Sequence, residues 1–453
     1  MKVHLVGIGG AGQSALAHLY LRRGDSVSGS DMGASAVLDA LRSEGAELHL
    51  AHSAENLGDP DLVVVSTAIR EDNPELLAAR QRGLKVVRRG RAAADLCAGR
   101  RTVAIAGTHG KTTTTTMTAA ALAGADPLVL SGGRLPGSLF NSRPGAGSVA
   151  IIEADESDGS FLELRPEVGV VTNIEADHLD RYQDLAEIER AFQLFASGVS
   201  STIVGCVDDH GAKRLLGAAP GEVLSYGFES SDIQAHDYFA DSGGCVFGIR
   251  SPWGSAQVRL PFPGRHNARN AMAAIGAGLA LRRPLGPMVE ALASVELPGR
   301  RMELVLEASG ARVFDDYSHH PTEVAAALAA AREMGPTRLV CLFQPHMFTR
   351  LARFMDDFAK ALAAADEVLI VPVYAARDEP IEGVDSAALA AATRRSRPGM
   401  PVELVHSVDA LVGVARRRLE PGAILLFMGA GDINRASAAM AKVVRSDQGE
   451  GNS

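Results

Sequence analysis

The segment Gly107-Thr108-His109-Gly110-Lys111-Thr112-Thr113 follows the apolar run Val103-Ala104-Ile105-Ala106. A strand that feeds a glycine turn ending in Lys-Thr is a phosphate cradle, because backbone N–H groups of the loop and of the next helix's first turn face the anion. Lys111 brings a point charge to the terminal phosphates, and the Thr112 hydroxyl suits Mg²⁺. The segment therefore predicts a nucleoside-triphosphate site. The loop is a short variant: counting back from Gly110, the first glycine of the common pattern is replaced by Ile105. An ordinary strand-to-helix turn that happens to contain lysine is the plain alternative. Five consecutive threonines, Thr112 to Thr116, argue against it, since nothing in helix propensity favours them.

A second glycine loop, Gly7-Ile8-Gly9-Gly10-Ala11-Gly12, lies between the apolar run from Val3 and a helical stretch, with Asp31 at the end of the next run. This G-x-G-x-x-G pattern seats a diphosphate on a helix N-terminus and places an acid near a ribose. NAD, FAD and a nucleotide-sugar diphosphate all meet that description. The triphosphate loop at Lys111 disfavours a dehydrogenase, because hydride transfer needs no ATP.

Further chemistry gathers where apolar runs end, as expected of parallel sheets. Ala150-Ile151-Ile152-Glu153-Ala154-Asp155-Glu156-Ser157 places Glu153 to hold Mg²⁺ as a Walker-B acid does, unless the run is a solvated acidic loop. Thr172-Asn173-Ile174-Glu175-Ala176-Asp177-His178 offers His178 at a second Mg²⁺ site, although histidine is an unusual ligand for that ion. In Gly264-Arg265-His266-Asn267-Ala268-Arg269-Asn270, the amides of Asn267 and Asn270 suit an adenine edge, while Asn267 equally suits a helix N-cap. Asp315 to Glu323 and Phe343 to Arg350 make a polar crevice at neighbouring strand ends. Metal binding by His319 and His320 is disfavoured there, since adjacent histidines usually point apart.

Short apolar runs alternating with Ala-rich amphipathic stretches predict β-α-β units and parallel sheets. With 453 residues the chain exceeds one ordinary core. The reading is α/β in three domains: a Rossmann-like N-terminal domain over 1–99, a central P-loop ATPase-like domain over 100–297, and a Rossmann-like C-terminal domain over 298–453. Residues 223–263 read as a small antiparallel excursion, Leu297-Pro298-Gly299 as a linker, and the tail from Asp447 as frayed. A net charge of −9 argues against nucleic acid as a partner. The scattered Cys97, Cys206, Cys245 and Cys341 read as buried thiols in a reducing cytoplasm. The chain enters a strand pattern at once, so no signal peptide is expected, and no apolar run approaches membrane-helix length, so no membrane insertion is expected.

Taken in order, GIGGAG, STAIREDNP, GTHGKTTTT, EADESD, TNIEADH, GRHN, DDYSHHPTE, FQPH–TR and MGAGDI resemble the Mur ligase family of peptidoglycan synthesis, in its alanine-adding branch, from Val3 to about Ser437. The resemblance implies a cytoplasmic enzyme, a monomer or weak homodimer, that uses ATP and Mg²⁺ to join L-alanine to UDP-N-acetylmuramate through an acyl phosphate. It places the nucleotide sugar at Gly9, Gly10, Ala11, Gly12, Asp31, Ser66 and Thr67. ATP falls at Gly107 to Thr113 with His266, Asn267 and Asn270, and Mg²⁺ at Thr112, Glu153 and His178. Lys111, Glu153, His178 and Arg301 are implied as catalytic, and His320, His346 and Arg350 as substrate-binding, Arg350 holding the amino-acid carboxylate. Met347 departs from the arginine common at its position, and Gln13 stands where methionine is common. No lysine occurs between His178 and Lys213, which matches the alanine-adding branch and not the later ligases. The rival readings are a recycling ligase that attaches a whole tripeptide to the same sugar, an NAD-linked oxidoreductase using Gly7 to Gly12, and an idle nucleotide-binding regulator.

Overall fold

The computed structural model describes residues 1–179 and 181–450, and for 447–450 the backbone alone. Its strands form sheets of five, ten and six. The first sheet runs Glu47–His49, Ser26–Ser30, Lys2–Val6, Leu62–Val65, Val86–Arg88, parallel throughout. That order places the first strand centrally, with the crossover direction reversing beside it, which is where doubly wound sheets bind ligands. The polar strand Ser26–Ser30 belongs here for steric reasons. A Cβ on Gly29 would fall 2.6 Å from Leu5 O, so the close approach of these two strands requires glycine.

The second sheet contains a parallel core in the order Leu128–Leu130, Val149–Glu153, Arg101–Ala106, Val168–Val171, Thr202–Cys206, Glu222–Gly227. Val103 to Ala106 are fully buried, as a strand covered on both faces must be. The strands Ile233–Asp241, Gly244–Ser251 and Gly254–Leu260 extend this sheet as consecutive neighbours, and Ile233–Asp241 joins Glu222–Gly227 in parallel, where an antiparallel excursion was expected. The third sheet runs Glu303–Ala308, Ala311–Asp316, Ala423–Met428, Arg338–Phe343, Glu367–Ile370, Val402–Leu404, antiparallel only at its first pair. Apolar cores cover both its faces, one around Phe343 and Phe358, the other around Leu342 and Phe427.

Contacts divide the chain into two compact units. One comprises Met1–Tyr238, Val246–Leu260 and Ala268–Gly299, and carries the first sheet and most of the second. The other comprises Phe239–Cys245, Pro261–Asn267 and the chain from Arg300. All four cysteines are buried and unbridged. No described helix is long and apolar enough to cross a membrane. The last helix, Asn434–Glu450, continues through Asp447, where fraying was expected; residues 451–453 lie outside the described residues.

Candidate active site

The strand Arg101–Ala106 delivers the phosphate loop at its carboxyl end, and the helix Lys111–Ala121 leaves from it. Gly107 has φ +134° and Gly110 φ +80°, both in the region that favours glycine. A Cβ on Gly107 would overlap Thr172 Oγ1, and one on Gly110 would sit 2.8 Å from Asn270 Oδ1. The segment after the strand Val168–Val171 and the helix that carries Asn270 therefore press on the loop, and the former also holds it by hydrogen bonds. Asn173 Oδ1 accepts from His109 N at 2.8 Å, Thr172 Oγ1 donates to His109 O at 2.7 Å, and Glu175 N donates to Thr108 Oγ1 at 2.9 Å. His109 Nε2 lies 3.6 Å from a Glu175 oxygen. The segment read for its histidine thus also fixes the loop's backbone.

The threonine run is tolerated in the helix because packing and local bonds override propensity. Thr113 to Thr116 are buried, and the hydroxyls of Thr116 and Thr118 donate back to the carbonyls of Thr112 and Thr114.

Thr112 Oγ1 donates to Glu153 Oε1 at 3.0 Å, and Gly132 N donates to Glu153 Oε2 at 2.6 Å. Burial pushes the Glu153 carboxyl up, against the pull of Gly132 N–H, Lys111 and Thr112. A threonine hydroxyl beside a carboxylate is a hard-oxygen pair that suits Mg²⁺. Lys111 Nζ donates to Gly107 O at 2.6 Å and Thr108 O at 3.1 Å, and to both Glu156 oxygens at 2.9 and 2.8 Å. Burial alone would lower the lysine's pKa, but Glu156, Asp155 and Glu153 outweigh it and raise it. The ammonium stays charged. His178, at φ +52°, brings Nε2 to 3.8 Å from Glu156 Oε1 and 3.9 Å from Asp177 Oδ2. Glu156 is only 2 % exposed and lies between Lys111 and His178; the sequence reading did not single it out.

In the first sheet the glycine loop closes on itself. Gly7 N and Ile8 N donate to Ser30 O, and Gly10 N to Gly7 O. The Asp31 carboxylate accepts from Gly9 N at 2.8 Å, so this acid fastens one strand end to the next. Beneath it, the fully buried Glu75 accepts from Ser30 Oγ at 2.6 Å and Asn56 Nδ2 at 2.7 Å, and lies 3.4 Å from His4 Nε2. Burial alone would raise its pKa, but the hydrogen bonds from His4, Ser30 and Asn56 hold it down at about 2. Gly10 precedes the helix Ala11–Arg23, and Ser66 and Thr67 follow the strand Leu62–Val65.

Arg89, the first residue of the helix Arg89–Cys97, reaches the same place. Its Nη1 is 2.6 Å from where a Gly12 Cβ would stand, and its Nη2 donates to Asp158 at 2.8 Å. A cleft of about 70 Å³ lies alongside, lined by Gly12, Arg89, Gly132, Glu153, Asp155 and Ser160 among others. It joins the first glycine loop to the Glu153 strand end.

Asn270 stands against Gly110. Asn267 lies in the first turn of the helix Arg265–Ala280 and donates Nδ2 to Pro263 O at 2.8 Å, so it is not the N-cap, whose side chain would accept from a backbone N–H. His266 packs against Gly264, whose φ is +112°.

Within the other unit, His320 is the N-cap of Pro321–Glu333, completed by Glu323 as a capping box. Its ring meets Phe354 edge-on. His346 stacks on Tyr374 at 5.6 Å, meets His319 at 5.9 Å, and has Nδ1 3.4 Å from Arg350 Nη1. Burial, then the charges of His319 and Arg350, pull the His346 pKa down to about 4, so the imidazole is neutral at pH 7. Met347, at φ +69°, precedes the helix Phe348–Leu362. Arg301 lies over the Tyr317 ring at 5.3 Å, next to Arg300, which pairs with Asp315 at 3.1 Å. Gln344 was not singled out from the sequence. It binds Asp432 Oδ1 at 2.8 Å and Ile433 N at 3.1 Å, anchoring the MGAGDI segment.

The structure thus brings Lys111, Thr112, Glu153, His178 and Asn270 to one end of the central sheet, and His319, His320, His346 and Arg350 to one end of the third. Comparison with known proteins matches residues 2–101 to the Mur ligase family, catalytic domain; 105–278 to the Mur ligase middle domain; and 300–431 to the Mur ligase, glutamate ligase domain. A UDP-N-acetylmuramate–L-alanine ligase of Saccharopolyspora erythraea is 43 % identical, over 99 % of this chain and 94 % of that protein. The crystal structure of UDP-N-acetylmuramate–alanine ligase from Thermotoga maritima superposes with a TM-score of 0.82 at 30 % identity, covering 99 % of this chain and 100 % of that one. A murein peptide ligase from Psychrobacter arcticus gives 0.68 at 25 % identity, covering 98 % of each chain.

Proposed function

The chain belongs to the Mur ligase family, and from that premise we propose that it joins L-alanine to the lactyl carboxylate of UDP-N-acetylmuramate, converting ATP to ADP and phosphate. The domains would divide the work as 1–99 for the nucleotide sugar, 100–297 for ATP and 298–453 for the amino acid, in the cytoplasm.

One observation carries the reading. A cleft connects a diphosphate-type loop, with Arg89 over its helix start, to the Thr112–Glu153 pair beside a partly buried, charged Lys111. A sugar hung from the first loop can direct a carboxylate along that cleft toward a terminal phosphate. The lactyl oxygen attacks the γ-phosphorus, the bond to the β-bridging oxygen breaks, and ADP leaves. The amine of L-alanine then attacks the acyl carbon, the C–O bond to phosphate breaks, and the amine loses its proton. Like charges meet in the first step, so catalysis is neutralisation and alignment. Lys111 supplies a fixed positive charge at the phosphates. Thr112 and Glu153 would hold Mg²⁺, which neutralises phosphate charge when bound, with His178 at a second position. His346, held neutral, offers an acceptor to the incoming amine, and Arg350 a guanidinium to its carboxylate.

The alanine-adding relatives match over nearly the whole chain at higher identity than the murein peptide ligase, which favours a single amino acid over a tripeptide. ADP release with UDP-N-acetylmuramate should depend on L-alanine. Preference for L-Ala-D-Glu-meso-diaminopimelate would transfer the chain to the recycling reaction. Thermal stabilisation by NADH and not by the nucleotide sugar would move it out of ligase chemistry.

A further inference from the structure

The central sheet has a second polar end. The phosphate loop sits at the carboxyl ends of its strands, whereas Arg101, Thr202 and Glu222 lie at the amino ends of theirs, a strand's length away, about 20 Å. A cavity of about 860 Å³ opens there. That volume is in the range that takes a small organic ligand.

The charges facing it are unevenly matched. Arg101 and Glu167 neutralise one another through paired contacts at 2.6 and 2.9 Å. Arg282 and Arg283 also line the cavity, and among the described residues neither guanidinium has a carboxylate partner. Arg283 Nε is buried and makes no hydrogen bond there. A buried donor left without an acceptor is destabilising, so a ligand acceptor at this place has a defined energetic role. Arg282 takes φ +59°, a left-handed conformation unfavourable for arginine, at the turn that presents both side chains. The helix Leu285–Leu292 begins at the same wall, with Pro284 as an N-cap that offers no side-chain acceptor. Its first N–H groups add to the positive field. In a chain of net charge −9, a local excess of unpaired guanidinium is selective for an anion.

The remaining wall names the rest of the ligand. Trp253, the single tryptophan, lines the cavity and is 50 % exposed, so a ring face is available for stacking. Glu222, exposed and accepting a 3.3 Å bond from Thr202, offers an acceptor to a ring amine. We propose that this cavity is a second ligand site, remote from the phosphate loop, for a nucleoside monophosphate whose base carries an amino group. The phosphate would lie on Arg282 and Arg283, the base on Trp253, and the amine on Glu222.

Trp253 makes the site report on itself. Titration of the full chain with AMP, followed by tryptophan emission, is expected to give saturable quenching, with adenosine and inorganic phosphate each at least tenfold weaker. The Lys111→Ala variant should quench as the parent does, which separates this site from the triphosphate loop. Arg282→Ala, at an exposed position, should weaken AMP binding at least tenfold while turnover stays unchanged; Arg283→Ala should do the same in a protein of unaltered circular dichroism. The proposal is overturned if AMP leaves the emission unchanged, if Lys111→Ala abolishes the quenching, if Arg282→Ala leaves AMP binding intact, or if phosphate alone binds as tightly as AMP.

Discussion

Replacing Glu156 by glutamine keeps the side chain's volume and removes the charge that faces Lys111. The structure sets the scale of the effect. Both carboxylate oxygens lie within 2.9 Å of the ammonium, and Glu156 is 2 % exposed. Breaking a buried pair by removing one partner typically costs about 3–5 kcal/mol, because the other charge is left uncompensated. Asp155 and Glu153 also raise the lysine's pKa, so the lower end of that range, about 3 kcal/mol, is expected. Lys111→Met should cost as much or more, since the Gly107 and Thr108 carbonyls lose a donor too. In the double variant both charges are gone, and the loss should fall short of the sum by about 3 kcal/mol. Urea unfolding followed by Trp253 emission reads this directly, because Trp253 and the pair belong to one compact unit. The lysine's pKa is raised in the folded state, so on the alkaline side the pairing is lost only as pH rises through the folded value, while burial raises the Glu156 carboxyl and sets the acid limit. Cycles at pH 7 and pH 9 should therefore agree. Single losses under about 1 kcal/mol, or strict additivity in the double variant, would refute the account of Glu156 as the counter-charge that holds Lys111.

Lys111→Ala should abolish ADP formation while UDP-N-acetylmuramate still raises the melting temperature; retained turnover would contradict the assignment of the lysine. Gly107→Ala forces a Cβ onto Thr172 Oγ1 at φ +134°, so a loss of about 3 kcal/mol and at least a hundredfold drop in kcat are expected from calorimetry and steady-state assays. His346 has its pKa lowered to about 4 from an ordinary 6.5, so the unfolded chain binds the extra proton between those values and stability falls as pH drops through that window. His346→Gln should flatten this acid limb in a pH series of unfolding curves, and an unchanged slope would show that another group produces it. Arg89→Ala should raise the KM for the nucleotide sugar at least tenfold and leave the KM for ATP within about twofold, since Arg89 overlies Gly12 and not the Lys111 loop.

The sequence made most of the first unit's chemistry legible because it is local. Lys111, Thr112 and Glu153 follow directly from strand ends and loop spacing, and the structure pairs Thr112 with Glu153 as that spacing implies. Glu156 was not legible. Glu153, Asp155 and Glu156 share one short acidic run, and only the turn in which Gly159 N bonds to Glu156 O decides which acid reaches Lys111. The bond from Gly9 N to the Asp31 carboxylate is a contact between two strand ends that spacing does not encode. Arg89 looked like one basic residue among several until the fold laid it over Gly12. Strands such as Glu47–His49, Val86–Arg88 and Val402–Leu404 are three residues each, too short for an alternation to register. The strained Arg282 turn and the cavity beside it arise from strand starts far apart in sequence, and no motif marks them.

Activation of the substrate carboxylate by attack on the terminal phosphate of ATP leaves an isotopic trace. UDP-N-acetylmuramate labelled with ¹⁸O in its lactyl carboxylate should, in the presence of ATP and L-alanine, pass one labelled oxygen to each phosphate released. Phosphate free of the label, formed together with the alanyl product, would contradict an acyl-phosphate route and the roles assigned to Lys111, Thr112 and Glu153.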